Sequence, residues 1–220
     1  MFRKSSEILQ TEAVGLVFPN PLGVPYSLKK KRCKWLCAAP KAGFFVLTAP
    51  SRNVLPWIKE LQTALPDTAV LAVEVKTDIL RTFSLVYDFA GFIIVDPDTD
   101  NGIDAADLGD TIGLLDEMVS LRLCYEHYTP VFLRLRHGIT PEELHTLLDT
   151  CRLSGLDGVA VTSLSMVSTV RDLTQGRVPI LCSIQTPEEG VQALQEGAVL
   201  LEAKTGFKGS NKLLKLLEKQ

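Results

Sequence analysis

Short runs of apolar residues, each of strand length, recur eight times along the chain. Several of these runs are continuous rather than alternating, which is typical of strands buried on both faces of a parallel sheet. They lie at residues 22–24, 44–48, 70–75, 92–95, 131–135, 159–162, 179–182 and 200–203. The pattern therefore predicts eight parallel strands.

Segments with helical periodicity separate these runs. After residue 140, Leu144, Leu147, Leu148 and Cys151 follow the i, i+3, i+4, i+7 pattern of an amphipathic helix that ends near Gly155. The tetrapeptide Thr-Pro-Glu-Glu occurs at 140–143 and again at 186–189, and it is a capping box with proline in the first helical turn. Further apolar stripes lie at 55–65, 112–119 and 213–217.

Strand and helix alternate throughout, which favours a single (β/α)8 barrel with parallel strands and outer helices, the TIM-barrel fold. A doubly wound open sheet is the alternative. With no linker-like tract at which to divide the chain, residues 1–220 are predicted to form one domain, with residues 1–13 as an N-terminal extension.

Composition changes this picture little. The 46% hydrophobic and 22% charged content are ordinary for a globular protein, and the net charge of −3 argues neither for nucleic acid nor for an acidic membrane surface, so we expect no nucleic-acid partner. No apolar run approaches the roughly 20 residues of a membrane helix, and the first ten residues lack the apolar centre of a secretory signal. We therefore expect a cytoplasmic protein without membrane insertion. The five cysteines include no C-x-x-C pair, so neither disulfides nor zinc are indicated.

In a barrel of this kind, function lies where each strand ends and the next loop begins. The loops after strands seven and eight usually form a phosphate cradle. Here the last strand is followed by Lys204, Gly206 and Gly209, with Ser210 or Asn211 as a helix cap. An anion site and a plain glycine-rich turn are equally compatible with this segment.

Four segments carry a resemblance to a known family. They are NPLGVPYSLKK (20–30), PVFLRLRHGITPEEL (130–144), SGLDGVAVTSLS (154–165) and VPILCSIQTPEEGVQALQEGAVLLEAKTGF (178–207). In this order they resemble consecutive segments of the dihydroorotate dehydrogenase family. That resemblance implies an FMN-dependent barrel enzyme that oxidises dihydroorotate to orotate in pyrimidine biosynthesis.

Carrying the family's site residues over gives matches and departures. The active-site lysine falls on Lys30 or a neighbour, and the catalytic base, a serine or cysteine in the family, falls on Asp96. The lysine against the flavin becomes Arg134, and the two cations differ in geometry. The remaining cofactor-binding positions are Thr162 with Ser163, Cys182 with Ser183, and Lys204, Thr205 and Gly206.

Two of these departures bear directly on the flavin. Cys182 and Ser183 stand where the family has glycines that approach the FMN phosphate, so their side chains are expected to narrow that gap. Tyr26 replaces a small residue on the first strand and could occupy the space of the isoalloxazine ring. Cys182 could instead act as a nucleophile, although a buried thiol is the better interpretation.

The acidic loop that starts at Asp96 allows other interpretations. Asp96, Asp98 and Asp100 match the start of a calcium loop, but Leu108 stands where its glutamate is expected, so we predict no metal site. An aspartate can accept a proton, and Asp96 could therefore replace the family's base. A solvated turn is the simpler alternative.

Three hypotheses about function stay open from the sequence. The first is an FMN-dependent oxidoreductase of the dihydroorotate dehydrogenase type. The second is a barrel that has lost flavin and acts as a binding or partner subunit, favoured by the short loop after strand two. The third is an isomerase or lyase of a phosphorylated metabolite that uses Glu74, Lys76 or Asp96. The expected partner is a small phosphate-containing ligand, and assembly into a homo-oligomer is left open.

Overall fold

The computed structural model describes residues 9–26, 41–49, 53–97, 108–135, 138–154, 156–204 and 209–219. Their ten strands are β1 (Thr11–Ala13), β2 (Leu16–Phe18), β3 (Leu22–Tyr26), β4 (Phe44–Thr48), β5 (Val70–Val75), β6 (Phe92–Val95), β7 (Val131–Arg134), β8 (Gly158–Val161), β9 (Ile180–Ile184) and β10 (Leu200–Ala203). Their seven helices are α1 (Val54–Ala64), α2 (Ile79–Val86), α3 (Leu108–Arg122), α4 (Pro141–Ser154), α5 (Leu164–Thr174), α6 (Pro187–Glu196) and α7 (Ser210–Leu217).

Strands β3 to β10 close into a barrel in which every neighbouring pair is parallel, and β10 pairs with β3 to complete it. The (β/α)8 prediction is confirmed. All eight predicted runs are strands; four of them have the predicted bounds, and the other four differ by one or two residues at an end. None of the helices in the described ranges is both long enough and apolar enough to cross a bilayer.

The side chains of each strand alternate between two buried shells. One shell fills the lower part of the barrel and includes Phe44, Phe92, Phe132 and Leu181. The other lies between the barrel and the helices, with residues such as Leu133, Val161 and Cys182. Because the strands are covered on both faces, they read as continuous apolar runs.

Glycines in the barrel strands make room for aromatic rings of the inner shell. A Cβ atom at Gly23 would overlap the ring of Phe44, and one at Gly158 would overlap that of Phe132. Asn20, in the same NPLG segment, accepts a hydrogen bond from the Leu22 N–H and donates one to the carbonyl of Lys41. This part of the family resemblance therefore lies at the N-terminal end of the barrel and is structural.

The hairpin of β1 and β2 closes that N-terminal end. Its turn residues Val14 and Gly15 both have positive φ, 50° and 78°, which matches the right-handed twist of a two-residue hairpin. Phe18 at the end of β2 is fully buried and packs edge-on against Phe44 and Phe92, with ring centroids 5.7 and 6.0 Å away. The extension predicted for residues 1–13 thus contributes a strand that, with its partner β2, plugs the barrel.

Candidate functional site

The upper interior of the barrel is charged rather than apolar. Strand alternation turns Glu74, Arg134 and Glu202 inward near the C-terminal ends of β5, β7 and β10, and Asp96 follows β6 directly. All four are buried. We call these four residues, together with Lys76, the charged layer.

Arg134 is the centre of the charged layer. Its Nη2 atom lies 2.8 Å from Glu74 Oε1 and 2.8 Å from Glu202 Oε2, and its Nε lies 3.4 Å from Asp96 Oδ2. Burial lowers the pKa of Arg134, but the charges of Glu202 and Glu74 outweigh that effect and raise it. The guanidinium is therefore permanently charged and already contacts carboxylates from β5, from β10 and from the residue that follows β6.

Lys76 completes the layer on the side of β5. Its ammonium lies 2.9 Å from Asp96 Oδ2 and 3.3 Å from Glu74 Oε1, and Thr48 donates to Glu74 at 2.8 Å. Burial lowers the pKa of Lys76, but the charge of Glu74 and the hydrogen bond to Asp96 outweigh burial, so the pKa is raised overall. The amine therefore stays protonated, which is unsuited to a nucleophilic lysine.

Of the two predicted catalytic residues, the structure describes only Asp96. Its Oδ2 forms ion pairs with both Lys76 and Arg134. The carboxylate is therefore held by buried cations and does not lie in a solvated turn. Lys30 lies outside the described residues, as do Thr205 and Gly206. The predicted roles of these residues stay predictions.

Ser183 and Cys182 point in opposite directions from β9. Ser183 faces the barrel interior, where its hydroxyl accepts from Arg134 Nη1 at 3.3 Å and donates to Glu202 Oε2 at 3.2 Å. Cys182 packs in the outer shell between barrel and helices. Tyr26 also packs against that outer shell. Neither Cys182 nor Tyr26 lies in the barrel interior, whereas Ser183 contacts two residues of the charged layer.

The Cys182 thiol is chemically inert in this environment. Burial, followed by the nearby charge of Glu189, raises its pKa to about 12. Since the thiolate is the reactive form, the nucleophile hypothesis loses its support. The Cys124 thiol, by contrast, is exposed.

We expect iodoacetamide to alkylate Cys124 readily at pH 7.5 and Cys182 on the order of a hundredfold more slowly, because few thiolates form at a buried thiol. Mass spectrometry of tryptic peptides over time measures both rates in one sample. Equal rates in the folded protein would contradict the burial of Cys182, and labelling in urea supplies the control for intrinsic reactivity.

Lys204, Thr162 and Ser163 lie together at the mouth of the barrel. Lys204 follows β10 and reaches past the end of β9, so that its Nζ lies 3.5 Å from the carbonyl oxygen of Thr162. Ser163 precedes α5 and its hydroxyl lies 3.1 Å from that of Ser165. Within the described ranges, no carboxylate lies within 4.0 Å of the Lys204 ammonium, in contrast to Arg134 and Lys76.

The elbow between β9 and α6 is held by the predicted capping box. The Gln185 N–H donates to Glu189 Oε2 at 2.7 Å, and the Glu189 N–H donates to the Thr186 hydroxyl at 3.2 Å. Glu188 Oε1 accepts from Lys212 Nζ, at the start of α7, at 2.6 Å. In the other predicted box the bonds are reciprocal, because the Thr140 N–H donates to Glu143 Oε2 and the Glu143 N–H donates to the Thr140 hydroxyl.

Sequence reasoning missed Glu202. It pairs with Arg134 at 2.8 Å and accepts from Ser183, so it is as central to the charged layer as Glu74. The signal was available, because Glu202 is the one charged residue of the apolar strand Leu200–Ala203. In the described part of the chain, no three histidine, cysteine or acidic side chains are grouped so that they could hold a metal ion.

Comparison with known proteins gives a fold but no family. No family model matches the chain, and neither does any curated protein. Among solved structures, a DHODH from Eimeria tenella in complex with ferulenol is 16% identical over 98% of this chain and 85% of its own, with a TM-score of 0.80. The ligand-free DHODH from the same organism matches over 96% of this chain and 85% of its own, at 16% identity and a TM-score of 0.74.

An aldolase, QR15, is also similar, at 12% identity over 88% of this chain and 93% of its own, with a TM-score of 0.67. At such low identities, the likeness establishes a barrel of the kind seen in DHODH and aldolases. It does not transfer an activity.

The described residues do not fit FMN in the way that the family resemblance implies. The cation expected against the flavin ring, Arg134, is neutralised by three carboxylates. At the elbow, the N–H groups of Gln185 and Glu189 already have acceptors, and Pro187 has no N–H to offer a phosphate. We therefore derive no flavin chemistry for this site.

Proposed function

We propose that this protein is a flavin-free binding barrel of the DHODH-like type, which takes up a small anionic molecule at the mouth of the barrel. The observation that carries the proposal is the charged layer: the guanidinium of Arg134 is bound by Glu74, Glu202 and Asp96 and is not available to a cofactor. Because the side chains of the charged layer are paired with one another, they are a poor redox or acid–base centre. They form instead a rigid polar surface beneath the barrel mouth.

Lys204 is the residue that we propose as the anchor of the ligand. Its ammonium lies at the mouth near Thr162 and, among the described residues, has no carboxylate partner within ion-pair distance. A carboxylate or phosphate group of the ligand would provide that partner. A phosphate-containing metabolite therefore stays within the proposed ligand class.

The first test is a visible absorbance spectrum of the purified protein, repeated after incubation with excess FMN and removal of unbound flavin on a desalting column. We expect no retained flavin band and no turnover of dihydroorotate. A stoichiometric flavin band would overturn the proposal and favour the alternative, FMN-dependent oxidation of dihydroorotate, which the family resemblance and the DHODH-like fold support.

The second test is calorimetric titration with orotate, dihydroorotate and inorganic phosphate in the absence of flavin. We expect one of these anions to bind, and Lys204→Met to weaken that binding about tenfold or more, since a charged hydrogen bond contributes about 1.5–3 kcal/mol.

Lys212→Met is the matched control for that titration, because Lys212 pairs with Glu188 outside the barrel mouth, and it should bind like the wild type. No binding of any of the three anions, or equal losses in both lysine variants, would count against Lys204 as the anchor.

A further inference from the structure

A cavity of about 250 Å³ lies between α4 and α5, away from the barrel mouth. Its walls come from the second half of α4, from the end of α5 and from the segments that lead into β8 and β9. Those segments lie at the N-terminal ends of the barrel strands, whereas the charged layer and Lys204 lie at the C-terminal ends. The cavity is therefore separate from the site at the barrel mouth.

The cavity lies at a gap in the ring of helices. In the part of the chain that the structure describes, every other pair of consecutive helices from α1 to α7 packs closely together, but α4 and α5 do not. Protein interiors are close-packed, and empty volume in them costs stability. A space that the fold keeps between two helices is therefore a place where a ligand can bind.

Much of the cavity wall is apolar. The side chains of Leu148, Leu156, Leu173 and Val178 line it. Leu173 is 40% exposed, so the cavity can be reached from solvent on the side of α5. A cavity of about 150 Å³ with apolar walls is large enough for benzene. This larger one accommodates a phenyl ring that carries a short side chain.

One cation in the wall has no countercharge. Of the two carboxylates in the lining, Asp157 is paired with Arg122 at 3.2 Å, and Asp149 lies 3.4 Å from His145 Nδ1. The third charged group is the guanidinium of Arg177, and no carboxylate of the described residues lies within 4.0 Å of it. The charge that the cavity leaves unbalanced is therefore positive.

We propose that this cavity binds a small monocarboxylic acid with an apolar body. The body packs against the leucines of the wall, and the carboxylate pairs with Arg177, whose Nη2 otherwise donates to the neutral side chain of Gln175 at 3.0 Å. Arginine and carboxylate form strong, often bidentate hydrogen bonds, which fix the orientation of the acid. The inference goes beyond the proposed function, because it concerns a second site at the other end of the barrel.

The test uses 3-phenylpropionate as the probe and follows the amide chemical shifts of the protein by NMR. We expect a Kd on the order of 1 mM or below, as is usual for a ligand of this size. The largest shifts should fall on residues 145–149 and 173–179. No shifts in these ranges up to about 10 mM probe, or shifts confined to residues 162, 163 and 204 at the barrel mouth, would overturn the proposal.

A neutral analogue separates the ion pair from burial of the ring. 3-Phenylpropanamide has the size of the acid but no charge, and we expect it to bind the wild type about tenfold more weakly, since a charge-assisted hydrogen bond is lost. Arg177→Met should weaken binding of the acid by a similar factor and leave binding of the amide unchanged. Equal affinities of acid and amide for the wild type would contradict the role of Arg177.

Two further variants control for position and for volume. Arg81→Met removes an exposed arginine of α2, which pairs with Asp78, and it should bind the acid like the wild type. Leu173→Trp fills the cavity from its exposed side and should abolish binding of acid and amide alike. Equal losses in the two arginine variants, or unchanged binding in Leu173→Trp, would overturn the proposal. Circular dichroism of each variant verifies that it is folded.

The inference and the proposed function can fail separately. Chemical shifts at residues 173–179 report on the cavity, and shifts at residues 162, 163 and 204 report on the barrel mouth. A protein that binds the probe between α4 and α5 but no anion at the mouth would support the inference and remove the proposed function. The reverse result would remove the inference alone.

Discussion

We expect Arg134→Met to lower the free energy of unfolding by about 3–5 kcal/mol, the range for removing one partner of a buried ion pair. The substitution keeps most of the side-chain volume but leaves Glu74, Glu202 and Asp96 buried around an apolar group. Burial of carboxylates without a countercharge is what makes the loss large. Urea denaturation monitored by circular dichroism measures it.

A control and a rescue separate this effect from lost packing. Arg81→Met removes an exposed arginine, 3.7 Å from Asp78, and should change stability by less than about 0.5 kcal/mol. Adding Glu74→Gln and Glu202→Gln to Arg134→Met removes two of the stranded charges and should recover part of the loss. A loss of stability below about 1 kcal/mol in Arg134→Met, or no recovery in the triple variant, would contradict the view that Arg134 is the countercharge on which the buried carboxylates depend.

The strands were predictable because they are buried on both faces. Both shells require apolar side chains, and so every barrel strand reads as an apolar run. The bounds shift where a polar residue faces the interior. Ser183 ended the predicted seventh strand at residue 182, although the strand continues to Ile184 with Ser183 turned toward Glu202.

Helices were predictable where a side-chain cap or a clear apolar stripe marks them, as the uncapped α1 and α7 show. The Thr-Pro-Glu-Glu boxes fix the starts of α4 and α6. In both, the threonine hydroxyl accepts from the N–H of the second glutamate, whose carboxylate accepts from the Thr140 N–H at α4 and from the Gln185 N–H at α6. The helices α2 and α5 follow Asp78 and Ser163, neither of which makes a side-chain cap bond. Their starts carry weaker local signals, and the apolar pattern alone did not identify them.

The charged layer could not be predicted as a network. Four of its five members were visible one by one, Glu74, Lys76 and Asp96 as polar ends of strands and Arg134 as a cation on the fifth strand of the barrel, whereas Glu202 was missed. Their pairing depends on barrel closure, which brings Glu74 of β5 and Glu202 of β10 within 2.8 Å of the same nitrogen of Arg134. The resemblance then assigned Arg134 to a flavin, whereas its neighbours in space are carboxylates.

The hairpin was missed for a different reason. Strands of three residues, such as Thr11–Ala13 and Leu16–Phe18, are too short for an alternating pattern to stand out. Gly15 was compatible with a tight turn, but Val14 beside it is a β-branched residue at positive φ, which propensity would not suggest. The plug of the barrel therefore appears only when the packing of Phe18 is known.

Phe18→Ala is expected to lower the free energy of unfolding by about 3–5 kcal/mol, the usual range for phenylalanine truncated in a core. The side chain is fully buried and contacts Phe44 and Phe92 edge to face, so truncation leaves a cavity at the closed end of the barrel. Chemical denaturation should give a lower midpoint with an unchanged slope, since the surface exposed on unfolding stays nearly the same.

Val17→Ala is the matched control, because Val17 lies next to Phe18 in β2 but is 52% exposed, and its loss should stay within about 0.5 kcal/mol. The comparison also decides whether the hairpin unfolds together with the barrel. If the hairpin opened independently, Phe18→Ala would speed amide exchange in residues 11–18 and leave the midpoint of global unfolding in place. A lower global midpoint, with faster exchange in β4 and β6 as well, requires that the aromatic contacts of Phe18 belong to the same cooperative unit as the eight-stranded barrel.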